Sequence, residues 1–304
     1  MGSSPDHYDQ PVTWDLMAAS IPEGVASTGV GAWAALVRAV RSGAPGNRLD
    51  DARLAVASVL APSQVRGQVP ADRPLATLRF AEQMTADVSM LTEDQRLAAL
   101  GELGTSALPF VQAVWVCDLG TRARRAFGEL FGDEFLDDAM SAGALGVEEP
   151  AWPAQEQFLR EVAKLTALDP VTSELVRLRG ARAHGCRLCQ SLRSRAAVQA
   201  AGGGELFDAQ DEEPADLTER HATAVALVDA FIWQPLAWPA DLAARLRHQF
   251  SRAEAIELIL DLMRNSANKI AVALAADAPH VSDGVEYYDI DFSSGELLYG
   301  LSPA

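Results

Sequence analysis

Apolar residues return at helical spacing along almost the whole chain, and that periodicity points to an all-α body. In a helical stretch from Val12 to about Val40, the residues Trp33, Leu36, Val37 and Val40 fall on one stripe. Asp50 to Leu60 reads as a second helix, and Pro74 to about Met90 as a third with Leu75, Leu78, Met84 and Val88 inward. Thr92 with Gln95 three residues on is a capping box, in which each side chain bonds the other's backbone N–H. It opens a helix through Leu97, Leu100 and Leu103, followed by an apolar run from Leu108 to Leu119 and an amphipathic tail to Gly132. Further on, Phe158 to Leu165 is a short helix, and Asp169-Pro170 supplies an N-cap and a first-turn proline for a helix to about Ala183. Cys186 is expected to begin the next helix, which runs to about Ala200 and stops at Gly202 to Gly204. An acidic loop from Phe207 to Pro214, a helix from Thr218 to Trp233 and a break from Gln234 to Pro239 follow. Ser251 and Glu254 form a second capping box, ahead of a helix from Ala255 to Ala275. The tail departs from this pattern. Glu286 to Phe292 and Glu296 to Tyr299 flank a Ser-Ser-Gly turn and read as a β-hairpin that covers the helical body or a neighbouring subunit.

A chain of 304 residues suits one large or two medium domains. Asp133 to Pro153 is acidic and bears Gly and Pro, so it marks a boundary between domains at 1–150 and 151–304. The halves share a grammar. Thr77 to Met84 resembles Ala224 to Phe231 in apolar pattern, and Leu49 to Ala61 resembles Val171 to Ala183. Residues 1 to 12 are polar and loosely held.

Charge narrows the function. With 25 basic against 42 acidic residues the net charge is −17, which disfavours sequence-independent nucleic-acid binding and anionic membranes. The first ten residues are polar, so no signal peptide is expected, and no uninterrupted apolar window approaches the ~18 residues of a transmembrane helix. Three cysteines make no secreted disulfide framework. The expected location is the cytoplasm, where a C-x-x-C pair is redox-active or metal-binding more often than structural.

That pair is Cys186 and Cys189, and the first half has no counterpart: Pro62 to Arg66 stands in its place. Thiol chemistry needs a thiolate, a second thiol and a proton acceptor. The two-residue gap brings both sulfurs onto one helical turn, where a disulfide can close and the helix dipole favours negative charge. Arg193, four residues after Cys189, would lie on the same helical face and stabilise a thiolate. Glu174, on the preceding helix, could fold back as a general base, and His184 could relay protons. A buried packing pair or half a zinc site are the competing readings. Cys117 is isolated and His221, His248 and His280 are scattered, so no metal site is expected. Cys117 reads as a core residue, and Asn265 and Asn268 either hydrogen-bond inside the bundle or line a pocket near the cysteines.

The Glu-x11-Cys-x-x-Cys spacing from Glu174 to Cys189, with the helix leading into the pair, resembles the alkylhydroperoxidase D (AhpD)-like branch of the carboxymuconolactone decarboxylase superfamily. The resemblance covers about Phe158 to Ala275, and the first half looks like a degenerate copy. It implies two tandem AhpD-like all-α domains, a homo-oligomer, and reduction of a small peroxide or disulfide without a cofactor, recycled by an external thiol donor. It also implies that Cys189 reacts with peroxide, Cys186 resolves the sulfenic acid, and Glu174 starts a proton relay. Where the family carries a histidine four residues after the second cysteine, this chain has Arg193. A lyase of the same superfamily that does not use the cysteines, or a non-catalytic helical interaction protein with a vestigial pair, are the alternatives.

Overall fold

A computed structural model describes residues 27–43, 47–63, 74–132, 150–208 and 217–303. The fold is mostly helical, with one small sheet contributed largely by the C-terminal segment. The polar N-terminal residues, most of the proposed boundary at 133–153 and residues 64–66 of the segment that stands in place of the cysteine pair in the first half lie outside the described residues.

In the first half, α1 (Ser27–Gly43), α2 (Arg48–Leu60), α3 (Leu75–Asp87), α4 (Glu93–Leu103) and α5 (Ala107–Phe131) follow in order. The capping box of Thr92 and Gln95 is present at the start of α4. The Glu102 carboxylate accepts from the backbone N–H and the hydroxyl of Thr77, meeting donors in the first turn of α3 that the helix leaves free. Leu75 is exposed rather than inward. It is the first residue of α3, one turn before the stripe of Leu78, Ala81 and Met84 reaches the core. By length and composition, residues 93–131 are apolar enough to cross a membrane. In this fold the α5 portion is a core helix, with Phe110, Val111, Val114 and Trp115 fully buried.

α6 (Ala151–Ala163) packs against α1, so elements from both halves meet in one hydrophobic core. The join is aromatic. Trp33 of α1 stands edge-on to Trp115 of α5 at 5.5 Å and to Phe158 of α6 at 5.0 Å. Such pairs each add about 0.5–1.5 kcal/mol beyond the area they bury.

α7 (Pro170–Ala183) begins as its sequence implies: Pro170 is at the first turn and the Asp169 carboxylate accepts from the Thr172 N–H at 2.9 Å. The helix expected from Cys186 to Ala200 is instead three pieces: one turn α8 (Arg187–Gln190), strand β1 (Leu192–Ser194) and α9 (Arg195–Ala201). Distant partners capture the backbone that a helix would use. The strand β2 (Glu286–Asp291) pairs in parallel with β1, and Arg177 on α7 donates to the Leu192 carbonyl. Part of the acidic loop is also helical, in the turn α10 (Glu205–Asp208) with Phe207 fully buried. Residues 209–216 lie outside the described residues.

α11 (Glu219–Trp233) and the unanticipated α12 (Leu242–Gln249) precede α13 (Arg252–Asn265), which carries the Ser251–Glu254 capping box. The single helix expected to Ala275 breaks at Ser266–Ala267, and the short α14 (Asn268–Ala273) follows. The hairpin is present: β3 (Glu296–Leu301) pairs antiparallel with β2, completing a sheet of order β1-β2-β3. At its turn, Gly295 has φ +75°, and a Cβ there would run into the backbone of Arg160 on α6.

Candidate redox site

The cysteine loop is set by how α7 ends. Gly185 takes φ +66°, a conformation glycine adopts freely, and the Cys186 N–H reaches back to the Ala181 carbonyl at 2.9 Å. A Cβ on Gly185 would also press on Ser89 at 3.0 Å. The reversal delivers Cys186 to the cap position of α8, where its sulfur accepts the Cys189 N–H at 3.2 Å. The two sulfurs are bonded as a disulfide, with Cα atoms 5.4 Å apart. Cys186 is 1% exposed and Cys189 is half-buried. Because α8 is a single turn, the helix dipole invoked from the sequence has little length to act through.

Asp277 fastens the other side of the loop. Its carboxylate accepts from the Arg187 N–H and guanidinium, and its carbonyl accepts the Leu188 N–H at 2.9 Å. The bond from Arg187 holds this carboxyl below its ordinary range.

Glu174 lies beneath the loop, 2% exposed and fully engaged. It takes a bidentate pair from Arg177 (2.7 Å each), the Ser194 N–H (3.0 Å) and the Tyr288 hydroxyl (3.0 Å). Arg177 in turn donates to the carbonyls of Cys189 (2.7 Å) and Leu192 (2.8 Å), and Glu174 and Tyr288 favour its charged form. Burial raises the Tyr288 phenol above its ordinary value. This network binds α7, the cysteine loop and β2 into one unit.

His184 is buried, and its Nδ1 meets the Asn268 Oδ1 at 2.8 Å. An amide oxygen only accepts, so with the amide in this orientation Nδ1 carries the proton. Burial, reinforced by nearby Lys269, pushes the imidazole down to about 3, and it is neutral at pH 7. Asn268 thus hydrogen-bonds within the bundle, one of the two roles open to it in the sequence. Arg193 is not one helical turn above Cys189, because it sits on β1. Its guanidinium bonds the Asp208 carboxylate (2.9 Å) and the carbonyls of Gln190 and Leu192. Among the described residues, no hydrogen bond joins Glu174, His184 or Arg193 to either sulfur. No His/Cys/Asp/Glu group there has the makings of a metal site. Cys117 is half-buried on α5, and burial pushes its thiol up to about 12.

Sequence reasoning missed Arg177, Tyr288 and Asp277. Arg177 was within reach, since it stands three residues after Glu174 on a helix, where opposite charges pair. Tyr288 and Asp277 carry no local signal.

No family model and no solved structure matches the chain. Two proteins from strains of Mycobacterium tuberculosis, "Uncharacterized protein MT2376" and "Uncharacterized protein Rv2313c", are each 39% identical to it over 237 residues. Each alignment covers 76% of this chain and 82% of the mycobacterial one. At that identity and coverage, the chain belongs to the same family as these two mycobacterial proteins.

Proposed function

We propose that this protein is a thiol–disulfide oxidoreductase working through Cys186 and Cys189. The observation that carries the reading is the unequal burial of two bonded cysteines. Cys189 is half-buried, while Cys186 is enclosed and receives a backbone N–H. An external thiolate attacks the Cys189 sulfur, the S–S bond breaks, and Cys186 leaves as a thiolate that the Cys189 N–H stabilises. A second external thiol then releases Cys189 and departs as the external disulfide. In the opposite sense, the Cys189 thiolate attacks a peroxide oxygen and the O–O bond breaks. The alcohol leaves after taking a proton from water, and Cys189 becomes a sulfenic acid. Cys186 displaces the hydroxyl as water and closes the disulfide. A peroxide as oxidant follows from the AhpD resemblance, as do an external thiol donor, the tandem arrangement of two related domains and a homo-oligomer. A cytoplasmic location follows from the cysteine usage.

Glu174 has a supporting part in this proposal. With both oxygens committed to Arg177, Ser194 and Tyr288, it holds the loop in place, and water moves the protons.

The test is to treat the fully reduced protein with one equivalent of hydrogen peroxide and map the thiols by mass spectrometry. A Cys186–Cys189 disulfide is expected to form while Cys117 stays reduced. If the pair stays reduced while an added low-molecular thiol is oxidised, peroxide is not the oxidant. If the pair also fails to equilibrate with a glutathione redox buffer, the oxidoreductase reading falls with it.

A further inference from the structure

The turn that carries the disulfide is too short to hold itself. A helix leaves its first N–H groups without partners inside it, and a single turn gains too few bonds to offset its own ordering. In α8 these donors belong to Arg187, Leu188 and Cys189. Asp277 takes the first two. Its carboxylate accepts the Arg187 N–H and its carbonyl accepts the Leu188 N–H, each at 2.9 Å. The third donor, on Cys189, meets the Cys186 sulfur.

The backbone delivers Asp277 to this place at a cost. α14 ends as α7 does, with a left-handed residue followed by an N–H that returns across the last turn. The Ala276 N–H reaches the Ala271 carbonyl at 2.8 Å, as the Cys186 N–H reaches Ala181. On α7 the left-handed residue is Gly185. On α14 it is Ala275, at φ +55°, and no other non-glycine among the described residues has a positive φ. Alanine is strained there, and such strain persists where the surrounding structure fixes it. Ala275, Ala276 and Ala278 are exposed, while Asp277 among them is 4% exposed. The Arg187 guanidinium also bonds the Asp277 carboxylate, at 2.8 Å, but is 61% exposed, so the ion pair itself adds little. The remaining charges near the loop are committed elsewhere: Arg177 to Glu174 and Arg193 to Asp208, with His184 neutral. The two backbone bonds are therefore what Asp277 contributes to the turn.

We infer that Asp277 is a positioning residue of the disulfide: by occupying the Arg187 and Leu188 N–H groups it keeps the Cys189 N–H aimed at the Cys186 sulfur, with the disulfide closed or open. The inference rests on the exchange proposed above. In that exchange the external sulfur bonds to Cys189, the S–S bond breaks and its electron pair passes to Cys186. The aimed N–H favours Cys186 as the leaving thiolate.

The experiment compares the full-length parent with Asp277→Asn, which keeps a side-chain acceptor for the Arg187 N–H, and Asp277→Ala, which does not. One readout is the rate of disulfide reduction by excess reduced glutathione. The other is the pH midpoint of the Cys186 thiol, followed through the Cβ resonance of 13C-labelled cysteine in a Cys189→Ser background. Cys117, pushed up to about 12, titrates apart from it. Asp277→Ala is expected to slow reduction roughly tenfold and to raise the midpoint by about one pH unit, as fits the loss of a hydrogen bond to a charged sulfur. Asp277→Asn is expected to stay within about twofold of the parent rate, because the acceptor and not the charge holds the turn. Parental values in Asp277→Ala overturn the inference. So does Asp277→Asn behaving like Asp277→Ala, which would assign the effect to charge. If circular dichroism shows that Asp277→Ala does not fold, hydrogen exchange of residues 185–191 in the parent, read by mass spectrometry before and after reduction, decides. Protection in both states is expected, and protection lost on reduction overturns the inference. A parent that does not react with glutathione defeats the oxidoreductase reading alone, since the thiol midpoint and the exchange data still report on Asp277.

Discussion

Replacing Glu174 by glutamine separates a structural acid from a catalytic one. The side chain keeps its shape and loses its charge. One amide orientation costs least. The amide oxygen takes the place of Oε1, where the Ser194 N–H and Arg177 Nη2 already donate. The amide NH2 takes the place of Oε2, where the Tyr288 hydroxyl can turn to accept it. Arg177 Nε then faces another donor, and the guanidinium loses its counter-charge while 11% exposed. Breaking a buried pair from one side costs about 3–5 kcal/mol, and the bonds Arg177 keeps to Cys189 and Leu192 put this case at the lower end, about 3 kcal/mol. Urea unfolding followed by circular dichroism should show that loss as a lower midpoint at unchanged slope. The double variant Glu174→Gln/Arg177→Met, which removes both charges, should recover more than half of it. A Glu174→Gln protein within about 0.5 kcal/mol of the parent that exchanges its disulfide a hundredfold more slowly would refute the structural assignment and restore the general base.

Three further outcomes are expected. Burial and the neighbouring Asp261 push Glu257 from 4.5 up to about 7, and burial pushes Asp261 from 3.8 up to about 6. The native state thus holds protons that the unfolded chain releases. This contribution is complete below about pH 4 and is lost as pH rises through 6 to 7, of order 1–3 kcal/mol for the coupled pair. Urea midpoints from pH 4 to 8 should flatten in Asp261→Asn, and an unchanged profile counts against the pair. Gly295→Ala should loosen the hairpin, because φ +75° strains alanine by about 1–3 kcal/mol and its methyl meets Arg160. Faster amide exchange in β2 and β3 is the readout, and unaltered protection contradicts it. Reducing the disulfide opens a loop of only a few residues and should cost no more than about 2 kcal/mol, with the unfolding transition still cooperative. A transition that disappears on reduction would show the bond to be structural.

What could be read from the sequence was local. The capping boxes at Thr92 and Ser251 and the Asp169-Pro170 start each rest on contacts within one turn, and all three are present. The hairpin was legible for the same reason. The stretch from Leu192 to Ser194 was not, because its state depends on β2, and the register pairs Leu192 with Glu286. Nothing within a helical window around Cys189 encodes that partner. The same holds for the Tyr288 hydroxyl on Glu174, 114 residues away, and for Lys269 on Asp118, 151 residues away. Asp118 and Arg122, four apart on one helix, were readable as a pair. Lys269, the second cation on the Asp118 carboxylate, was not.

Strand formation at Leu192 also decides which charges reach the thiols. On an uninterrupted helix Arg193 would stand one turn above Cys189, and its guanidinium could serve as a counter-ion to the sulfur. On β1 the same side chain is drawn to Asp208 and to the carbonyls of Gln190 and Leu192. Its charge is spent in holding the strand. Arg177 occupies the space beneath the loop instead, yet it touches the Cys189 carbonyl and not the sulfur. The charged groups around the pair are therefore bound to each other and to backbone. Their effect on the thiols is to fix position: Cys186 enclosed against its neighbour's N–H, Cys189 half-buried. In the proposed exchange, a site organised this way would select which sulfur is attacked through access and leaving-group stabilisation, and that selection would not require a charged side chain beside the sulfur.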